Sequence, residues 1–153
     1  MKRPQVKNSK SVEYAVEPEL SAKEFRAILI ASGLAERRPA SDATRLDQIL
    51  RQADIIVTAR VGTHLVGVSR AITDFSYCCY LSDLAVDAAH QRQGIGKRLI
   101  EETRRSAGTG ANLVLLAAPA AQQYIRKSEW TGPTTAGSFP ALGSLPTPAS
   151  RID

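Results

Sequence analysis

Apolar residues along this chain keep two different periods, and the points where one gives way to the other mark out its elements. After a polar, basic arm from Lys2 to Lys10, Ser11 to Val16 alternates as a short half-buried strand does. Leu20-Ser21-Ala22-Lys23-Glu24-Phe25 is a helix start: Ser21 caps, Glu24 closes a capping box, and Leu20 staples onto Phe25. A first helix is predicted from Ala22 to Ser32, with Gly33 at its left-handed end. Arg37-Arg38-Pro39-Ala40 reads as a loop, and Ser41 as the cap of a second helix whose Leu46, Ile49, Leu50 and Ala53 share a face. From Ile55 the spacing shifts to β-branched runs, Ile55 to Val61, His64 to Ile72 and Ser76 to Val86. Gly62-Thr63 and Asp74 turn the chain between them, which predicts an antiparallel meander. Helical spacing returns from Gly94 to Ala107, with Ile95, Leu99 and Ile100 on one side and Glu101 facing Arg105 on the other; Gly108 and Gly110 end it. Asn112 to Ala117 is continuously apolar, as a strand buried on both faces is, and Pro119 opens a helix carrying Tyr124. From Thr131 onward Gly, Pro, Ser and Thr dominate, which predicts little regular structure.

Length places these elements in one domain: 153 residues suit a single core and need no disulfide or metal to hold it. That domain is expected over residues 1–130, with 1–10 a loose basic arm and 131–153 a weakly structured tail. Cys78 and Cys79 are neighbours on a strand, so their side chains point to opposite faces and form no bridge. The charged start Met1-Lys2-Arg3-Pro4 has no apolar segment behind it, and the longest apolar run, Leu113 to Leu116 with the alanines after it, is too short to span a bilayer. Together these features predict a reduced, cytoplasmic protein with no membrane partner. His64 and His90 lie far apart in sequence and no Cys-x-x-Cys occurs, so no metal site is expected. A net charge of +5 suits an anionic cofactor, a nucleic acid or solubility alike.

The chemistry concentrates in Leu84-Ala85-Val86, a strand end, followed by a turn and Gln91-Arg92-Gln93-Gly94-Ile95-Gly96-Lys97, a glycine-spaced helix start. Such a junction leaves backbone N–H groups unpaired at the positive end of a helix dipole, and Gly94 and Gly96 remove side chains that would keep a pyrophosphate from them. Arg92, Lys97 and Arg98 add positive charge nearby. A P-loop needs glycine at Gln91 and Ser or Thr at Arg98, and a dinucleotide-binding fingerprint needs glycine at Leu99, so both are excluded.

Gln91-Arg92-Gln93-Gly94-Ile95-Gly96 resembles the Gln/Arg-x-x-Gly-x-Gly/Ala acetyl-CoA motif of the GNAT superfamily of N-acetyltransferases. Leu84-Ala85-Val86 resembles the family strand that precedes it, and Leu65-Val66-Gly67 the family's third strand. The resemblance covers the order of elements from Val12 to about Trp130. It implies an α/β (α+β) fold, a mixed and mostly antiparallel sheet flanked by helices and splayed between the fourth and fifth strands. It further implies acetyl-CoA as co-substrate, its pantetheine arm along Leu84 to Val86 and its pyrophosphate on Gln91, Arg92, Gln93, Gly94, Ile95, Gly96 and Lys97. An acceptor amine would attack the thioester directly, with a backbone N–H near Ala85 or Val86 stabilising the oxyanion. The loop from Gly33 to Ser41 would border the acceptor.

Three segments depart from the family pattern. The general acid is often a tyrosine on the helix after the fifth strand; alignment puts Ile125 there, with Tyr124 one position, or about 100°, away. Tyr124 is the candidate acid, a core tyrosine being the plain alternative. Asp83 is the candidate base, an acid within an apolar strand, its alternative being an ion pair with Arg60 or Arg70. The tail carries Pro133, Pro140, Pro146 and Pro148 where the family closes its sheet with a hairpin, so that hairpin is not expected, and an uncovered edge would favour a homodimer.

The leading expectation is an N-acetyltransferase acting on a small-molecule or protein amine. Its rivals are a GNAT-fold protein that binds CoA with little turnover and an RNA-directed acetyltransferase. Nucleic acid ranks last as a partner, because the arginines are scattered and aromatics make up 5% of the chain.

Overall fold

The computed structural model describes residues 10–116. Five strands form one sheet in chain order: β1 (Val12–Val16), β2 (Ile55–Val61), β3 (His64–Thr73), β4 (Cys78–Val86) and β5 (Asn112–Leu115). β1 to β4 pair antiparallel, and β5 joins β4 in parallel after a crossover through a helix. The pattern predicts the antiparallel meander, and the resemblance the mixed, mostly antiparallel sheet that contains it.

The first helix, α1 (Ala22–Ser32), starts as its sequence demands. The Ser21 hydroxyl accepts from the Glu24 N–H at 3.2 Å and donates to the Glu24 carboxylate, and Gly33 ends the helix at φ +82°. Leu20 and Phe25 both enter the core. The second helix, α2 (Ala43–Arg51), is capped by Asp42 and not by Ser41: the Asp42 carboxylate accepts from the Arg45 N–H, because a Pro39–Asp42 turn delays the start by one residue. Leu46 and Leu50 are buried.

The third helix, α3 (Ile95–Ala107), buries Ile95, Leu99, Ile100 and Thr103. Alternation along β3 puts the helices on opposite faces. Val68 packs into the α1 and α2 core with Phe25, Leu29, Leu46 and Ala85. Gly67 and Ser69 face α3, where Ser69 and Thr103 share a buried hydroxyl hydrogen bond of 2.7 Å. A Cβ on Gly67 would lie 3.0 Å from Leu99 Cδ1 and 3.1 Å from Ile95 Cγ2, so the missing side chain lets the first turns of α3 lie against the sheet.

Charge pairing on α3 differs from expectation. Glu102 takes Arg98 at 2.8 Å and Arg105 at 3.0 Å in place of a Glu101–Arg105 pair. β4 begins at Cys78 and not Ser76, because the Asp74 carboxylate gathers the N–H groups of Tyr77, Ser76 and Cys78 into a tight turn. The same contacts, that to Tyr77 foremost, hold the Asp74 carboxyl down to about 2. Cys78 is exposed and Cys79 buried, on opposite faces and unbridged.

Candidate functional site

Two features of β4 leave backbone groups unused. The register runs Arg70↔Asp83 and then Ala71↔Leu81, so Ser82 is an extra residue, a β-bulge. β5 pairs only with Cys78 through Leu81. From Ser82 to Val86 no strand lies on that side of β4 among the described residues. The sheet is therefore splayed between its fourth and fifth strands; the backbone groups of Leu84 and Val86 point away from β3, whereas those of Ala85 face it, so the Leu84 amide and carbonyl and the Val86 amide are left to an extended, amide-bearing chain.

Just past the strand the chain bends sharply. Asp87 caps a single 3₁₀ turn, Ala88–His90, by accepting from the Ala89 N–H, and the Gln91 side-chain amide donates back to the Val86 carbonyl at 3.0 Å. Arg92 then adopts φ +64° and Gly94 φ +81°. A left-handed arginine costs about 1–2 kcal/mol, and alternating hand along a loop curls successive N–H groups inward into an anion-binding concavity. Gly94 opens α3 with no side-chain cap, so the first-turn amides lack both intrahelical partners and a capping oxygen. Nothing lies within 4 Å of a Cβ placed on Gly94, so glycine serves the turn there and not the space.

Gln91, Arg92, Gln93, Gly94 and Lys97 are exposed around this concavity, while Ile95 and Gly96 are buried beneath it. The structure thus brings the sequence-predicted cofactor residues together as a free strand edge running into a basic, uncapped helix start. The Arg98 guanidinium lies 5.7 Å from the centre of the Tyr14 ring on β1 and bonds Glu102. His64 and His90 flank Asp87 at 3.7 and 3.9 Å, beyond hydrogen-bond reach.

Asp83 is fully buried on the α1 and α2 face of β4. Arg70 Nε donates to one carboxylate oxygen and Arg38 Nε to the other. Arg70 was foreseeable as its partner; Arg60 instead binds Glu17 and Glu24, at 2.8 and 2.9 Å. Arg38 was not foreseen. The available signal was Asp83 itself, an acid in an apolar strand that requires a cation, with two arginines in the loop between α1 and α2. Tyr124 and the proline-rich tail lie outside the described residues.

The profile of the acetyltransferase (GNAT) family matches residues 22–126, more than half of the chain and the whole run from Ser82 to Lys97. The chain belongs to the GNAT acetyltransferase family. Solved acetyltransferases share the fold. An aminoglycoside acetyltransferase from an uncultured soil metagenomic sample, solved with sisomicin, is 22% identical at a TM-score of 0.64, over 92% of this chain and 100% of its own. A ribosomal-protein-alanine N-acetyltransferase from Brucella melitensis biovar Abortus 2308 is also 22% identical at 0.64, over 88% and 100%. An aminoglycoside N-acetyltransferase solved with CoA is 16% identical at 0.62, over 80% and 87%. No curated protein matches the sequence at a significant level. GNAT enzymes use acetyl-CoA, and the free β4 edge and uncapped α3 fit its amide-bearing arm and its pyrophosphate. Among the described residues no helix is long and apolar enough to cross a membrane.

Proposed function

We propose that this GNAT chain is an acetyl-CoA-dependent N-acetyltransferase that modifies a primary amine on a small molecule or a protein. The observation that carries the reading is the continuity of the unpaired β4 segment, Ser82 to Val86, with the left-handed bend at Arg92 and Gly94 and the uncapped start of α3. In this reading the backbone of Leu84, Ala85 and Val86 orients the pantetheine arm, and the amides from Gln91 to Lys97 hold the pyrophosphate. Arg92 and Lys97 supply the countercharge. Bound there, acetyl-CoA supplies an acetyl group already activated as a thioester. The chain's own contribution is to hold the acyl carbonyl near the N–H of Val86, which faces the open side where that of Ala85 faces β3, and to admit the amine on the opposite side. Tyr124 is assigned the proton returned to the departing thiolate.

The test couples binding to turnover. Isothermal titration with acetyl-CoA is expected to give saturable binding that weakens at least about tenfold when Arg92→Glu and Lys97→Glu are combined, each exposed site changing sign beside the phosphates. Thiol release from acetyl-CoA is then followed with polyamine, aminoglycoside, amino-acid and peptide panels, for the wild type and Tyr124→Phe. Absence of acetyl-CoA binding would overturn the reading.

One observation favours a second reading, a CoA-binding protein with little turnover. Asp83, the acid nearest the free edge, has both oxygens engaged by arginines and none directed at an incoming amine. Binding without thiol release across the whole panel would select that reading over the first.

A further inference from the structure

The loop between α1 and α2 contains no buried residue from Gly33 to Asp42. Leu34 and Ala35 pack partly against the core, and Arg26 Nε donates to the Ala40 carbonyl at 2.8 Å. Arg38 adds a longer-range hold. That side chain donates to Asp83 through Nε, to the carbonyl of the bulged Ser82 through Nη2 at 2.9 Å, and to its own loop at the Arg37 carbonyl through Nη1 at 2.8 Å. One guanidinium therefore fastens the loop to the first two residues of the β4 segment that β5 leaves unpaired.

The carboxylate at the centre is shared unequally. Arg70 stands opposite Asp83 on β3, bonds it and the Ser82 hydroxyl, and is 8% exposed, whereas Arg38 is 26% exposed. Two cations face one anion. When Arg38 leaves, Arg70 still balances Asp83, and water reaches the vacated oxygen by the path Arg38 occupied. When Arg70 is removed, a deeper cation site is lost.

We infer that Arg38 is a positioning residue and Asp83 its anchor: together they hold the Gly33–Ser41 loop over the open edge of β4 as a detachable wall of the acceptor site. The inference rests on the acetyltransferase reading, because it is a thioester held along Leu84 to Val86 that an amine would approach past this loop. Asp83 then acts through Arg38 and not as a proton acceptor. The guanidinium fork matters, since it spans a carboxylate and a carbonyl at once, which a lysine ammonium on one flexible stem does less well.

The experiment compares the full chain with Arg38→Gln and Arg38→Lys in three measurements. Amide hydrogen exchange is expected to quicken across residues 33–42 in Arg38→Gln by about tenfold or more, the change brought by losing one charge-assisted hydrogen bond, while residues 55–73 keep wild-type protection. Acetyl-CoA affinity by titration calorimetry is expected to stay within about twofold of wild type, since Arg38 bonds Arg37, Ser82 and Asp83 and none of the residues from Gln91 to Lys97. For whichever panel amine the wild type acetylates, KM for the amine is expected to rise at least about tenfold with kcat little changed, and Arg38→Lys to fall between. Unchanged exchange in residues 33–42 would overturn the tether. Equal losses in acetyl-CoA affinity and amine KM, with a lowered Tm, would show general destabilisation and overturn the positioning role. If the wild type binds acetyl-CoA but acetylates no panel amine, the acetyltransferase reading fails on its own, and the exchange result still decides whether the loop is tethered.

Discussion

Gly67→Ala perturbs the contact that seats α3 on the sheet. The new methyl would sit 3.0 Å from Leu99 Cδ1, 3.1 Å from Ile95 Cγ2 and 3.4 Å from Ala59 Cβ. Non-bonded carbons rest at about 3.5–4.0 Å, so the helix must lift by about half an ångström or two side chains must leave their rotamers. Leu99 is fully buried and Ile95 is 2% exposed, so neither has free space to turn into. Overpacking of this kind costs about 1–3 kcal/mol, and replacing glycine within a strand returns about 0.5–1 kcal/mol of backbone entropy. The expected net loss is about 1 kcal/mol, a fall in Tm of about 4 °C, and Gly67→Val should lose two to three times as much. Because Ile95 is the first residue of α3, the displacement also moves the first-turn amides, and acetyl-CoA affinity should fall several-fold. Differential scanning calorimetry and isothermal titration check the two effects. Leu99→Val, which vacates the space the methyl needs, should rescue part of both in the double variant. A Gly67→Ala protein as stable as wild type, with unchanged affinity, would refute the claim that this close approach places the site.

Other consequences are as open to measurement. Arg92→Gly relieves a left-handed arginine and should raise stability by about 1 kcal/mol while weakening acetyl-CoA binding, a pairing of signs that calorimetry and titration detect together. The hydrogen bond from Arg60 holds the Glu17 carboxyl below the usual glutamate range. Its contribution to stability is therefore complete above the unfolded value of about 4.3 and is lost as pH falls through the lower folded value; a Tm–pH profile should show this acid limb, flattened in Glu17→Gln. Cys78 should react at once with a thiol reagent and Cys79 only on unfolding, since burial shields it and pushes its thiol up. Asp83→Ala leaves Arg70 buried without a counter-ion and should cost about 3–5 kcal/mol in denaturant melts, far more than Arg38→Gln.

Most elements were legible because their signals are local. Ser21 and Glu24 specify a helix start within four residues, and Gly33 ends that helix as its missing side chain allows. The cofactor loop was legible for the same reason, strand, glycines and cations all lying between Leu84 and Lys97. Where local signals tie, tertiary context decides. Ser41 and Asp42 are both good caps, and only the turn closing at Pro39 selects the second. Glu101 and Glu102 both have arginine neighbours at helical spacing, and the packing of α3 turns Glu102 toward them. The tether was invisible because Arg38 and Asp83 lie 45 positions apart and no periodic pattern links them. The αL conformation of Arg92 was hidden as well: its charge marked it as a phosphate partner, whereas its backbone shapes the loop.

The splay in the sheet also bears on how the protein avoids sticking to itself. An exposed strand edge invites another chain to pair with it, and long, flat, regular edges do so best. Among the described residues the vacant stretch of β4 is five residues long, begins at the Ser82 bulge, has its first carbonyl occupied by Arg38 and ends where Gln91 donates to the last. A foreign β-strand finds too few consecutive partners in register. A flexible ligand with only a pair of amides to satisfy finds enough, so the opening that admits a cofactor is too short and too irregular to seed aggregation.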